Sequence, residues 1–237
     1  MADVSHDPLA PPAGDPSDRP LPLGLLRDVG LPLVLASGSR YRASMLADAG
    51  VGPDEGLSVS IDPPGVDERA LDHLFDELDV AEFATVLARA KADAVAPRHP
   101  DSLVLAGDQV GVVSVGGKQV QLTKQPDEDA ATEQLLAMSG TTHRLVNSLV
   151  LVRTDTGESI ERTDEQRVTM RTLTEAEIRD YLRRFEPYDS SGCYRLEDQP
   201  LMAPLEPFIT AVDGEHASGV LGLPLPLVGR MMVALLD

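Results

Sequence analysis

Tryptophan is absent, and phenylalanine and tyrosine contribute only four residues each, 3% of the chain. Aliphatic side chains must therefore fill the core. A single cysteine, Cys193, excludes an internal disulfide and a thiolate metal cage. No apolar run approaches the ~20 residues of a membrane-spanning helix, and no basic stretch precedes an apolar one at the N-terminus. The expectation is a cytoplasmic protein with no membrane partner. Lysine is almost missing: only Lys91, Lys118 and Lys124 occur, and the remaining permanent cations are arginines. With 20 basic against 39 acidic residues the net charge is −19 and the pI about 4.5. Such a surface repels phosphate backbones, so nucleic acid is not an expected partner.

What is present reads as one large globular domain or two small lobes within 237 residues. Residues 1–28 are rich in Pro, Asp and Gly and read as a disordered or loosely ordered leader, with the folded domain at 29–237. Leu31 to Ala36 is a short buried strand, broken by Ser37, Gly38 and Ser39 before a helix that stops near Gly50. A second helix starts near Val80, with Phe83, Leu87 and Ala90 on one stripe. Ser102 to Ala106 is another buried strand, ending at Gly107 and Asp108. Gly116 and Gly117 turn a hairpin between 110–115 and 118–122. A helix at 128–138, two long strands near 143–153 and 158–171, a helix capped by Thr174 and Glu177, a strand near 208–213 and a terminal helix complete the chain. Helices alternating with strands, plus one long antiparallel pair, predict a mixed α/β fold.

Chemistry concentrates at a few positions. A strand-to-helix junction carrying Ser37 and Ser39 offers N–H groups and hydroxyls to phosphate oxygens. Arg42 lies in that helix's first turn, where the dipole disfavours a cation unless an anion binds. A serine cap with a solvent-facing arginine is the other reading these residues allow. Asp108 closes an apolar strand, as a rim carboxylate or as a turn former. The five histidines lack metal-ligand spacing, and Cys193 has no evident partner base, so it reads as structural.

Together these pieces resemble the Maf-like pyrophosphatase family. Ser37, Ser39 and Arg42 match its Ser-x-Ser-x-x-Arg opening. Val66-Asp67-Glu68, Ala90-Lys91-Ala92, Ala106-Gly107-Asp108-Gln109, Lys124 and Gly222-Leu-Pro-Leu225 follow in the family's order. The resemblance implies an elongated twisted sheet flanked by helices in two lobes, with a central nucleotide cleft, as in inosine triphosphatases. It implies hydrolysis of a nucleoside triphosphate between the α- and β-phosphates, with Asp108 as catalytic base and Glu68 and Asp108 as ligands of Mg²⁺ or Mn²⁺. Ser37, Ser39, Arg42, Lys91 and Lys124 would bind phosphate. Two of the three lysines thus fall on motif positions, while Lys118 reads as exposed turn chemistry. A homodimer is also expected from the resemblance.

The substrate base is marked at three positions. Gln109 after Asp108, and Glu197, resemble the 7-methyl-GTP branch, whose third marker, a tryptophan, falls on Tyr41. A cationic methylated guanine would stack on an aromatic ring, and a carboxylate could accept from its N–H groups. A dTTP/UTP pyrophosphatase, and a nucleotide-binding regulator of cell division without turnover, are the alternatives. The chain departs from the family at Arg40, where proline is common, and at Thr123-Lys124-Gln125, where Gly-Lys-Pro is usual. The stretch between Glu197 and Gly222 is also longer.

Overall fold

The computed structural model describes residues 21–237. Among them one seven-stranded mixed sheet runs in the order β2 (Val59–Ile61), β1 (Leu33–Ala36), β3 (Leu103–Val115), β5 (Thr142–Arg153), β6 (Glu158–Met170) and β7 (Ile209–Gly214), with β4 (Lys118–Leu122) paired to β3. The chain divides into two compact units. One holds the described residues up to Gln109, Val146–Glu165 and Glu215–Asp237; the other holds Val110–Leu145 and Gln166–Gly214.

In the first unit, β1 (Leu33–Ala36) pairs in parallel with both β2 (Val59–Ile61) and the start of β3 (Leu103–Val115). The register sets Ala36 against Ala106. Period-two alternation divides these strands between two apolar layers. Leu33, Leu35, Leu103, Leu105, Leu149 and Leu151 face one way, onto Met45 and Leu46 of α2 (Arg40–Asp48) and Val228, Met231 and Met232 of α6 (Leu225–Leu236). Val34, Ala36, Val104, Ala106 and Val150 face the other way, onto Ala88, Ala92 and Val95 of α3 (Val80–Val95). Small alanines on both sides of that second layer let α3 lie close to the strands. Asp79 and Glu82 close a capping box at the start of α3.

Two expectations are corrected here. The leader expected over 1–28 falls mostly outside the described residues, but its end is ordered. Leu23–Val29 form α1, and Leu21 and Leu26 are buried in the same layer as β1. Gly229 of α6 packs against this segment, a Cβ there falling in ordinary contact with Pro22 and Leu21. The strand expected to end at Gly107 and Asp108 instead continues unbroken from Leu103 to Val115. Gly107 is there for packing rather than for a turn: a Cβ would lie 2.9 Å from Leu149 Cδ2. The acidic stretch after Val66 winds into 3₁₀ turns over Glu68–Asp76.

In the second unit the remainder of β3 pairs antiparallel with β4 (Lys118–Leu122) through Gly116 and Gly117. Both glycines have positive φ, as a two-residue hairpin requires. The later part of β6 (Glu158–Met170) pairs with β7 (Ile209–Gly214). Helices α4 (Glu128–Met138) and α5 (Glu175–Phe185) pack on each other, and Arg179 bridges Glu128 and Asp129. Tyr181 makes tilted ring contacts with Phe185 and Phe208, an aromatic cluster in this unit. The Thr174–Glu177 capping box expected for α5 is present on both arms.

Candidate active site

At Ala36 the pairing of β1 with β3 ends, and the chain turns through Ser37 to Ser39 into α2. Ser39 caps the helix by accepting from the Arg42 amide at 3.4 Å. Ser37, buried, accepts from the Ser39 amide at 3.1 Å and from Arg42 Nη1 at 3.4 Å. Arg42 is buried rather than solvent-facing. Its Nε donates to the Gly222 carbonyl and its Nη1 to the Gly107 carbonyl, each at 2.8 Å. The guanidinium thus takes over the edge of β3 where β1 stops, and ties it to the Gly222 turn. Gly222 has φ +85°, and a Cβ there would lie 3.4 Å from Arg42 Nη2. Burial pulls the Arg42 pKa down, and the negative charges of Asp108 and Glu68 oppose that pull. Among the described residues only Nη2 is without a hydrogen bond, so Arg42 has one edge left for a ligand.

On the other face of β3 lies the carboxylate cluster. Lys91, buried in α3, donates to Asp108 Oδ1 at 2.5 Å and pairs with Glu68 Oε1 at 2.9 Å. A buried ammonium needs such partners, because an isolated charge there would be strongly disfavoured. Asp108 is buried as well, and its Oδ2 makes no hydrogen bond among the described residues. Glu68 is half exposed, at the start of its 3₁₀ turns. Sequence neighbours Asp108 and Gln109 therefore address opposite faces of one strand.

Gln109 is held by its amide nitrogen, which lies 3.1 Å from Asn147 Oδ1, 3.0 Å from the Gly219 carbonyl and 3.3 Å from that of Val220. Tyr41, in the first turn of α2, is 50% exposed. Lys124 and Glu197 belong to the second unit. Lys124 is exposed, but Gln134 of α4 fixes the residue before it by bonding both the Thr123 amide and carbonyl. It also accepts from Gln125, so Thr-Lys-Gln has a clamp of its own in place of the usual Gly-Lys-Pro. Glu197 is exposed between two anchored neighbours. Leu196 is buried, and Asp198 accepts from the Tyr181 hydroxyl at 2.7 Å. Cys193 is buried and its thiol pKa is pushed up by that burial, as suits a structural residue.

Ser37, Ser39, Arg42, Glu68, Lys91, Asp108 and Gln109 are thus assembled in one unit. Asn147, which holds Gln109, and in the other unit Gln134, which braces the Lys124 segment, had no motif to announce them. Their partners lie 9 to 38 residues away in sequence, and periodicity carries no trace of them.

Among the described residues no set of three or more His, Cys, Asp or Glu side chains is arranged to hold a metal. Two carboxylates do suit a hard cation of the Mg²⁺ type, which completes its shell with substrate phosphate oxygens and water. No helix among the described residues is long and apolar enough to cross a membrane.

The Maf-like protein family model matches residues 32–235, spanning every one of these site positions. The chain belongs to the Maf-like family. It is 39% identical over 194 residues to a dTTP/UTP pyrophosphatase of Rhodospirillum rubrum, covering 82% of this chain and 83% of that one. It is 35% identical over 204 residues to a 7-methyl-GTP pyrophosphatase of Rhizobium etli, covering 84% and 94%. A HAM1 protein from Coxiella burnetii is a distant structural likeness, at TM-score 0.33 and 13% identity over 59% of this chain and 73% of that one.

Proposed function

We propose that this Maf-family chain is a nucleoside triphosphate pyrophosphatase that hydrolyses 7-methyl-GTP to 7-methyl-GMP and pyrophosphate. The observation that carries the reaction is Asp108, buried, with Oδ1 fixed by Lys91 and Oδ2 uncommitted. Oδ2 takes a proton from a water whose oxygen bonds to the α-phosphorus. The bond from that phosphorus to the α–β bridging oxygen breaks, and its electron pair leaves with pyrophosphate. Lys91 keeps Asp108 oriented and offers its ammonium to the phosphates as they arrive. Arg42 Nη2, the Ser37 and Ser39 hydroxyls and Lys124 bind the remaining phosphate oxygens. Glu68 and Asp108 would hold a divalent cation, Mg²⁺ or Mn²⁺, which neutralises phosphate charge when bound.

The base is read by Gln109, Tyr41 and Glu197. An exposed aromatic ring and an exposed carboxylate suit a cationic base with N–H donors. A second reading, a dTTP/UTP pyrophosphatase, is favoured by the Rhodospirillum rubrum relative. Pyrophosphate release from 7-methyl-GTP, GTP, UTP and dTTP with Mg²⁺ or Mn²⁺ decides between them. Preferential turnover of 7-methyl-GTP is expected; turnover of UTP and dTTP alone would overturn the choice of base.

A further inference from the structure

Gln109 ends a chain of hydrogen bonds whose direction is fixed at its far end. Arg230 is permanently protonated and can only donate. Its Nη2 lies 2.9 Å from His216 Nε2, which must therefore accept. The proton of His216 then sits on Nδ1, which donates to Asp164 Oδ1 at 2.8 Å. The other oxygen of Asp164 accepts from Asn147 Nδ2 at 3.2 Å, and the same nitrogen donates to the Gly219 carbonyl at 2.8 Å. Asn147 is thereby left with only its oxygen facing Gln109. Asn147, Asp164 and His216 are all buried, so these polar atoms need their protein partners. Reversing the Gln109 amide would set its oxygen against three other oxygens.

We infer that Asn147, Asp164 and His216 are positioning residues that lock Gln109 with its amide nitrogen inward and its oxygen outward. Position 109 is then an obligate acceptor with a fixed direction, and it favours the nucleotide whose base brings an N–H onto that direction. Oε1 makes no hydrogen bond among the described residues, and Gln109 is half-buried, so a ligand can reach it. The inference rests on the reading of Gln109 as a residue that meets the base.

The test compares Asn147→Leu, His216→Phe, His216→Gln, Arg230→Met and Gln109→Leu in the full chain. For each, kcat and KM are measured on 7-methyl-GTP and UTP, together with inhibition by inorganic tripolyphosphate, which engages the phosphate site alone. Folding is checked by circular dichroism and Tm. Asn147→Leu and His216→Phe are expected to shrink the preference for whichever nucleotide the wild type favours by about tenfold, through KM. Tripolyphosphate inhibition should stay unchanged. His216→Gln, whose amide can accept from Arg230 and donate to Asp164, should restore the preference. Arg230→Met changes the solvent-exposed end of the chain and keeps the test valid if a buried variant fails to fold; it too should lower the preference. An intact preference in the folded Asn147, His216→Phe or Arg230 variants, with Gln109→Leu impaired, would overturn the relay. An intact preference in Gln109→Leu would instead overturn the reading of that residue as a base contact. Loss of tripolyphosphate inhibition alongside nucleotide turnover would reduce the three residues to general scaffolding.

Discussion

Asp108 and Lys91 form the closest charged pair in the site, so what each contributes can be separated by shape-preserving changes. Asp108→Asn keeps the volume and leaves Lys91 its bond to Glu68, but removes the proton acceptor. A loss of about 10²-fold or more in kcat is expected, with little change in Tm. A variant that folds and keeps its rate would remove Asp108 from the role of base. Gly107 poses a packing question instead. Gly107→Ala drives a methyl group to 2.9 Å from Leu149 Cδ2 and 3.3 Å from the Ser148 carbonyl. Leu149 can shift only against a filled layer, so a destabilisation of about 1–3 kcal/mol is expected in urea unfolding. Strain at Gly107 would also disturb the carbonyl that Arg42 grips. Activity should therefore fall further than stability alone accounts for.

Among the elements, β5 (Thr142–Arg153) contributes a titratable group that burial disables. His143 is fully buried, bonded through Nε2 to the Tyr194 hydroxyl at 2.7 Å, and burial pushes its pKa down to about 4. The unfolded chain would take up a proton near the ordinary value of 6.5, while the folded chain resists until about 4. Stability should therefore fall as the pH drops through that window. His143→Gln should flatten this part of the profile of Tm against pH; an unchanged slope would place the acid sensitivity elsewhere. Helix α5 adds a second acid-sensitive group, with hydrogen bonding rather than burial as the cause. Glu177, bonded to Arg171 and to the Thr174 cap, has its pKa lowered to about 2. Its contribution is complete above 4.5 and is lost as the pH falls toward 2, so the two groups act in adjoining windows. Both elements were readable in sequence, β5 as one of two long strands and α5 through its cap spacing. The environment of His143 was not, because Tyr194 lies 51 residues away.

For the whole molecule, a net charge of −19 makes self-repulsion the leading long-range term. Raising the salt from about 0.01 M to about 0.15 M shortens the screening length from roughly 30 to 8 Å. Tm should rise with that addition. A fall would mean that the surface ion pairs, such as those of Arg179 with Glu128 and Asp129, outweigh the repulsion. The same charge also repels the polyanionic substrate, so the cations of the site must be concentrated where it binds.

Local pattern alone determined the mixed α/β class, the major strands and helices, the hairpin at Gly116 and Gly117 and the cap of α5. Each depends on residues within a turn or two of one another, where periodicity, glycine and capping chemistry act directly. The ordered motifs also placed Glu68, Lys91 and Asp108 on one list. Only the tertiary structure decided that Lys91 holds both carboxylates, that Arg42 turns inward to the Gly107 and Gly222 carbonyls, and that Asp108 and Gln109 face opposite ways. It also ordered Leu21 to Val29, whose leucines look unremarkable until the layer they bury against is present. These are contacts between distant segments, set by desolvation and hydrogen-bond satisfaction in the assembled core. No window of sequence contains both partners.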